Sequence, residues 1–149
     1  MRERLKRIGG EDGYTLLEVL VVVLIIGILA TIAIPSFLNQ SSKAAGASAE
    51  ELAHTAQIAA ETYATDHNGS YAGLTTSALS AYDATIQTTS GNGNAWVSSV
   101  TNATVTSYTV TTTPANGNQT FSINRTNGLV TRTCTPVGVS QGPCVNGTW

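Results

Sequence analysis

From Gly13 to Gln40 the chain reads GYTLLEVLVVVLIIGILATIAIPSFLNQ, an apolar run interrupted by one charged side chain, Glu18. Thr15 to Leu38 is about 24 residues, which at about 1.5 Å each makes a helix of roughly 36 Å, long enough to cross a bilayer. Two positions weaken it. Gly27 lowers helix propensity, and Pro35 has no N–H to give the carbonyl of Thr31, so the stretch between them is expected to bend or loosen. The Thr31 hydroxyl can bond the backbone there, which makes such looseness less costly.

Beyond Pro35 the helical period continues to about Ala64, because Ala45, Ala49, Leu52, Ala56, Ala59 and Tyr63 recur at steps of three and four. This stripe lets a sheet or neighbouring helices approach closely, with Glu50, Glu51, Gln57 and Glu61 read as lying off it. At Asp66 the composition changes to Thr, Ser, Asn and Gly, and Asn68-Gly69 is a stop signal; the Asp66-His67 pair reads as a helix terminus. Alternation then replaces the helical period. Thr104 to Thr113 carries Val105, Tyr108 and Val110 among threonines, Gln119 to Asn124 carries Phe121 and Ile123, and Leu129 to Thr133 is β-branched, with turns at Asn116-Gly117 and Asn127-Gly128. Ala95 to Val100 reads either as a fourth strand or as part of a loop. The whole pattern predicts an α+β fold: a long N-terminal helix, its hydrophobic half protruding, packed on a small antiparallel sheet of three or four strands.

Charge sharpens the picture at the N-terminus. Arg2, Arg4, Lys6 and Arg7 stand against Glu3, Glu11 and Asp12 ahead of the apolar run, a bias that keeps this end cytoplasmic. A secretory signal places its cleavage site after the apolar run. Here the small residue Gly13 precedes it, so Gly13-Tyr14 reads as a processing junction that leaves the apolar segment in the mature protein. Cleavage there frees an α-amino group on Tyr14, four residues before Glu18, and on a helix those two positions share a face. A lone acid in lipid or in a helix bundle is costly unless paired, which marks Glu18 as functional.

The basic leader ending in Gly13, the aromatic Tyr14, Glu18 five residues into the mature chain, the long apolar run and Pro35 together resemble the type IV pilins and pseudopilins. The likeness covers residues 1 to 64, and YATDHNGSYAGL is similar to the start of the loop that joins helix to sheet in many of these proteins. Tyr14 replaces the more usual Phe, and Glu11 and Asp12 precede a junction that is usually neutral or basic. The resemblance implies a leader over 1–13 cut by a prepilin peptidase, which would also methylate the Tyr14 amine. It implies a transmembrane or filament-core helix over 14–38, with Gly27 and Pro35 bounding a stretch that can unwind on packing. It further implies a head over 39–149: helix 39–65, loop 66–103, then sheet and disulfide loop 104–149. Glu18 would meet the Tyr14 ammonium of an adjacent subunit. Implied partners are identical subunits in a helical homopolymer, the peptidase, an assembly platform with its ATPase, and the membrane before assembly.

The remaining chemistry is sparse. The leader takes four of the seven Lys and Arg and three of the nine Asp and Glu, so the rest carries three cations against six acids, and specific nucleic-acid binding is not indicated. After His67 only Asp83, Arg125 and Arg132 are charged, which suits a subunit packed among copies of itself. Sequons at Asn68, Asn102, Asn118, Asn124 and Asn146 are no more than chance supplies in so Asn- and Thr-rich a chain. Cys134 and Cys144 read as a disulfide closing a surface loop in an exported domain, worth about 3 kcal/mol in the loop-entropy account; two free thiols are the alternative. No set of residues suggests an enzyme, a cofactor or a metal site. Three functions follow: the major subunit of a type IV pilus, a pseudopilin of a type II secretion or DNA-uptake machine, or a membrane-anchored adhesin or binding module. Secretion pseudopilins tend to carry an acidic calcium site near the C-terminus, whereas here no Asp or Glu follows Asp83. Glu18 argues against a lone anchor, which has no use for an acid in its apolar segment.

Overall fold

The computed structural model describes residues 13–91, 93–136, 143–144 and 146–149. The leader expected over residues 1–13 lies outside them, apart from Gly13. Six elements follow in order: α1 (Leu16–Asp66), α2 (Thr76–Tyr82), β1 (Ala95–Thr101), β2 (Ser107–Pro114), β3 (Thr120–Thr126) and β4 (Leu129–Thr135). The strands form one sheet in the order β1-β2-β3-β4, antiparallel throughout. The fold is the α+β arrangement the pattern predicts, with four strands.

The chain divides into two compact units, one ending at Phe37 and one beginning at Leu38. In the first, α1 opens at Thr15, whose hydroxyl accepts the Glu18 N–H at 3.2 Å, an N-cap followed by an acid in the first turn. The helix continues through Gly27 and Pro35. Thr31 donates its hydroxyl to the Ile28 carbonyl at 2.6 Å, as expected near the missing proline donor. The large aliphatic side chains of this unit are exposed on every side of the helix, from 44% at Val21 to 83% at Leu16.

In the second unit α1 packs on the sheet through a narrow face of small residues. Gly46, Ala49, Ala53, Ala56, Ala60 and Ala64 are buried, flanked by Ala59 and Tyr63. The expected stripe is therefore rotated by part of a turn, for Ala45 and Leu52 are only half-buried. The sheet answers with Val97, Tyr108, Val110, Thr112, Phe121 and Ile123, all fully buried at alternating positions. Register pairs Val110 with Ile123 and Thr112 with Phe121, so buried side chains stand opposite one another across the strands. The buried Thr112 hydroxyl donates to the Ala49 carbonyl at 2.8 Å and ties the centre of the sheet to the helix.

The segment expected to be loop over 66–103 holds two elements. α2 is capped by Thr75, whose side chain accepts the Ala78 N–H, and it buries Leu79 completely. β1 adds to β2, with a register shift between Val97 and Ser99. α1 ends as its stop signal directs: Asn68 (φ 56°) and Gly69 (φ 81°) adopt left-handed backbone, and the Gly69 N–H reaches the Ala64 carbonyl at 2.7 Å.

Candidate functional site

The residues singled out in the sequence fall into two groups. Gly13, Tyr14, Glu18, Gly27 and Pro35 all lie on or just before the apolar part of α1. Tyr14 is 80% exposed and stands ahead of the helix, one residue before the Thr15 cap, so the helical relation expected between Tyr14 and Glu18 is not formed within the chain. Glu18 sits in the first turn, where the aligned peptide dipoles stabilise an acidic side chain by about 0.3–1 kcal/mol. At Gly27 an added Cβ would meet nothing within 4 Å, so no packing among the described residues requires glycine there. Pro35 lies inside the helix and denies the Thr31 carbonyl its ordinary donor.

The cysteines form the second group. Cys134 and Cys144 are bridged, with Cα atoms 5.6 Å apart. The bridge forms as expected, and its sulfurs are buried: Cys144 is 0% and Cys134 2% exposed, in a core cluster with Ala49, Ala95 and Phe121. Its position explains Gly46, because a Cβ there would lie 2.5 Å and 2.6 Å from the Pro143 ring beside Cys144. The terminal segment seals this corner. Cys134 N–H donates to the Gly147 carbonyl at 2.9 Å, and the Trp149 indole N–H donates to the Thr133 carbonyl at 3.0 Å with the Arg132 guanidinium over its ring.

Glu61, off the apolar stripe in the helical period, is nevertheless a packed residue. Its carboxylate accepts hydrogen bonds from Arg125 at 2.9 Å, the Tyr71 hydroxyl at 2.7 Å and the Tyr108 hydroxyl at 3.2 Å. Helix, connecting loop and two strands thus meet at one acid. The Arg125 guanidinium also lies over the Tyr71 ring, 5.3 Å from its centre. Burial, and then the neighbouring Glu61 carboxylate, push the Tyr71 hydroxyl up to about 12. The same causes raise Tyr108. A signal for this cluster was available. Alternation from Phe121 and Ile123 puts Arg125 on the inward face of β3, and an inward arginine calls for a facing acid.

Elsewhere, burial raises Glu50. Among the described residues, no three His, Cys, Asp or Glu gather where they could hold a metal. A cleft of about 340 Å³ between α1 and the β2–β3 turn is lined by small uncharged residues, among them Ser41, Ser48, Asn94 and Asn116.

Residues 10–34 match the family described as the prokaryotic N-terminal methylation motif, the leader signature of type IV pilins and pseudopilins. The matched stretch holds Gly13, Tyr14, Glu18 and Gly27 and stops one residue before Pro35. The chain thus joins the N-terminal signature of the type IV pilin and pseudopilin class to a pilin-like α+β arrangement. No curated protein and no solved structure matches the chain.

Proposed function

We propose that this chain is the major structural subunit of a type IV pilus, held in the cytoplasmic membrane as a precursor and assembled into a surface fibre. Prepilin peptidase cuts between Gly13 and Tyr14 and methylates the new amine. The observation that carries this reading is the methylation motif set on a helix whose aliphatic side chains are exposed all round. Such a surface is stable only in lipid or among other helices. On leaving lipid for a bundle of identical helices it gains little net hydrophobic energy, so register must come from something directional. Glu18 supplies it by meeting the Tyr14 ammonium of an adjacent subunit, a role in which buried ion pairs specify alignment more than they add stability.

A head with no Asp or Glu after Asp83, closed by a disulfide, supports the fibre reading over a secretion pseudopilin. Electron microscopy of sheared surface fibres, with peptide identification of their main component, tests it. This chain should dominate the fibres. Its confinement to the membrane fraction while fibres are built of another protein would overturn the proposal.

A further inference from the structure

Five Asn-Gly pairs occur in the chain, at 68–69, 92–93, 116–117, 127–128 and 146–147. In such a pair the glycine nitrogen can attack the side-chain amide carbon of the asparagine before it, because glycine has no Cβ to obstruct the approach. That nitrogen must shed its proton, and a hydrogen bond to a carbonyl opposes the loss and holds the peptide in place. Asn92 lies outside the described residues. The asparagines of the other four pairs are all exposed, so access to solvent does not separate them. Their hydrogen bonding does.

At two pairs the nitrogen is engaged: the Gly69 N–H donates to the Ala64 carbonyl at 2.7 Å and the Gly117 N–H to the Pro114 carbonyl at 2.8 Å. At a third, the Gly147 carbonyl accepts the Cys134 N–H at 2.9 Å, which ties the pair to the bridged core. Asn127-Gly128 differs. It forms the tip of the β3–β4 hairpin, with both residues in left-handed backbone (φ 50° and 87°), as a two-residue type I′ turn requires. Among the described residues no backbone carbonyl receives the Gly128 N–H. Asn127 is held from its other side by Thr106, whose carbonyl accepts the Asn127 N–H at 3.1 Å and whose hydroxyl donates to Asn127 Oδ1 at 2.9 Å. A donor on Oδ1 draws electrons from the amide carbon, and the peptide on the Gly128 side is left to turn towards it.

We propose that Asn127 is a site of spontaneous deamidation, in which the Gly128 nitrogen closes on the Asn127 side-chain carbon and the Thr106 hydroxyl stabilises the oxyanion that forms. Water or hydroxide takes the Gly128 amide proton as the new nitrogen–carbon bond is made. The bond from that carbon to Nδ2 then breaks, and Nδ2 gains a proton and leaves as ammonia. Water opens the resulting cyclic succinimide at either carbonyl, giving aspartate or isoaspartate, with no oxidant or reductant involved. Either product places a carboxylate at the hairpin tip, two residues from Arg125, in a stretch with no Asp or Glu after Asp83. Isoaspartate also lengthens the backbone by a carbon inside a turn whose length sets the register of β3 on β4. The inference concerns the head alone and does not depend on the polymer reading.

Full-length protein extracted in detergent and kept in mildly alkaline buffer tests this by peptide mass spectrometry over time, with the starting sample as reference. Trypsin cuts after Arg125 and Arg132, so Asn127 is the one asparagine in the peptide Thr126–Arg132. In the native chain Asn127 should convert, to both aspartate and isoaspartate, about fivefold or more faster than Asn68 and Asn116, the factor that one net hydrogen bond on the glycine nitrogen supplies. In concentrated urea the three rates should converge, since every glycine N–H is then free. Thr106→Val keeps the side chain's shape, removes the donor and should slow Asn127 about fivefold while leaving Asn68 and Asn116 unchanged. Were the hydroxyl only a brace, its loss would loosen the tip and speed the reaction. Native rates that are equal at the three sites, or a Thr106→Val chain that converts Asn127 as fast as the unaltered one or faster, would overturn the proposal.

Discussion

Before Phe37, α1 exposes large aliphatic side chains on every side; after Leu38 it buries a single face of glycine and alanine against a sheet. The difference shows what each half is built to meet. Branched side chains spread around a whole helix cannot be satisfied by one flat partner, and need lipid or several helices at once. Small residues confined to one arc fit one sheet at close range. The two glycines make the same point: a Cβ at Gly27 meets nothing, whereas one at Gly46 strikes the Pro143 ring. Gly46 serves this chain's own core, whereas nothing packed among the described residues calls for Gly27.

Substitutions should separate the halves, and the largest effect is expected at Glu18. Glu18→Ala removes a charge and should leave insertion and cleavage intact while assembly fails, since stranding the opposite member of a buried pair costs about 3–5 kcal/mol. Fractionation would find processed subunit in membranes and little in sheared fibres, with the melting of the head unchanged. In the head, Cys134→Ser with Cys144→Ser should cost about 3 kcal/mol of stability, read as a lower thermal midpoint in processed, membrane-extracted protein.

The glycine pair gives a smaller and sharper contrast. Gly46→Ala gains about 1 kcal/mol of helix propensity but forces a rigid ring to move, at about 1–3 kcal/mol, so the head should lose about 1 kcal/mol net. Gly27→Ala meets no such ring and should leave the melting of the head unchanged. Any loss of fibre yield it causes then belongs to contacts between copies.

The Glu61 cluster sets the smallest effect. Its ion pair is partly solvated, with side chains 27% and 38% exposed, so Glu61→Gln should cost about 1–2 kcal/mol. It also carries a pH signature. Unfolded tyrosines ionise near about 10, whereas folded Tyr71 holds its proton to about 12. Because that pKa is raised on folding, its contribution is complete below the unfolded value and is lost as pH rises through the folded one. Melting followed from mild to strong alkali should show this decline, and Glu61→Gln should move the Tyr71 titration to lower pH.

How far the sequence could be read follows the same divide. The apolar half of α1 needs no tertiary context, so its period, its weak points and its lone acid stand in plain view. Strands β2 and β3 were legible because Tyr108, Val110, Phe121 and Ile123 alternate cleanly, and β4 because Leu129 to Thr133 is β-branched, with Asn-Gly turns between them. β1 was ambiguous, since AWVSSV mixes its polar and apolar positions and a register shift breaks the alternation. α2 was missed because seven residues rich in Ser and Ala show barely two turns of period; only the capping Thr75 marked it. Glu61 lies off the apolar stripe, and helical spacing says which residues share a face, not how far a long side chain reaches around it. Likewise, two cysteines near Pro and Gly suggested a loop but not that their sulfurs fill the core beneath it.

On the proposed function the apolar half of α1 is kept in the mature protein and works between copies. The intact mass and N-terminal peptide of the subunit in sheared surface fibres test it most directly. The expected chain lacks Met1 to Gly13, begins at Tyr14 and is one methyl group heavier than its sequence. Fibre subunits that retain the leader, or that begin after the apolar run, would contradict it.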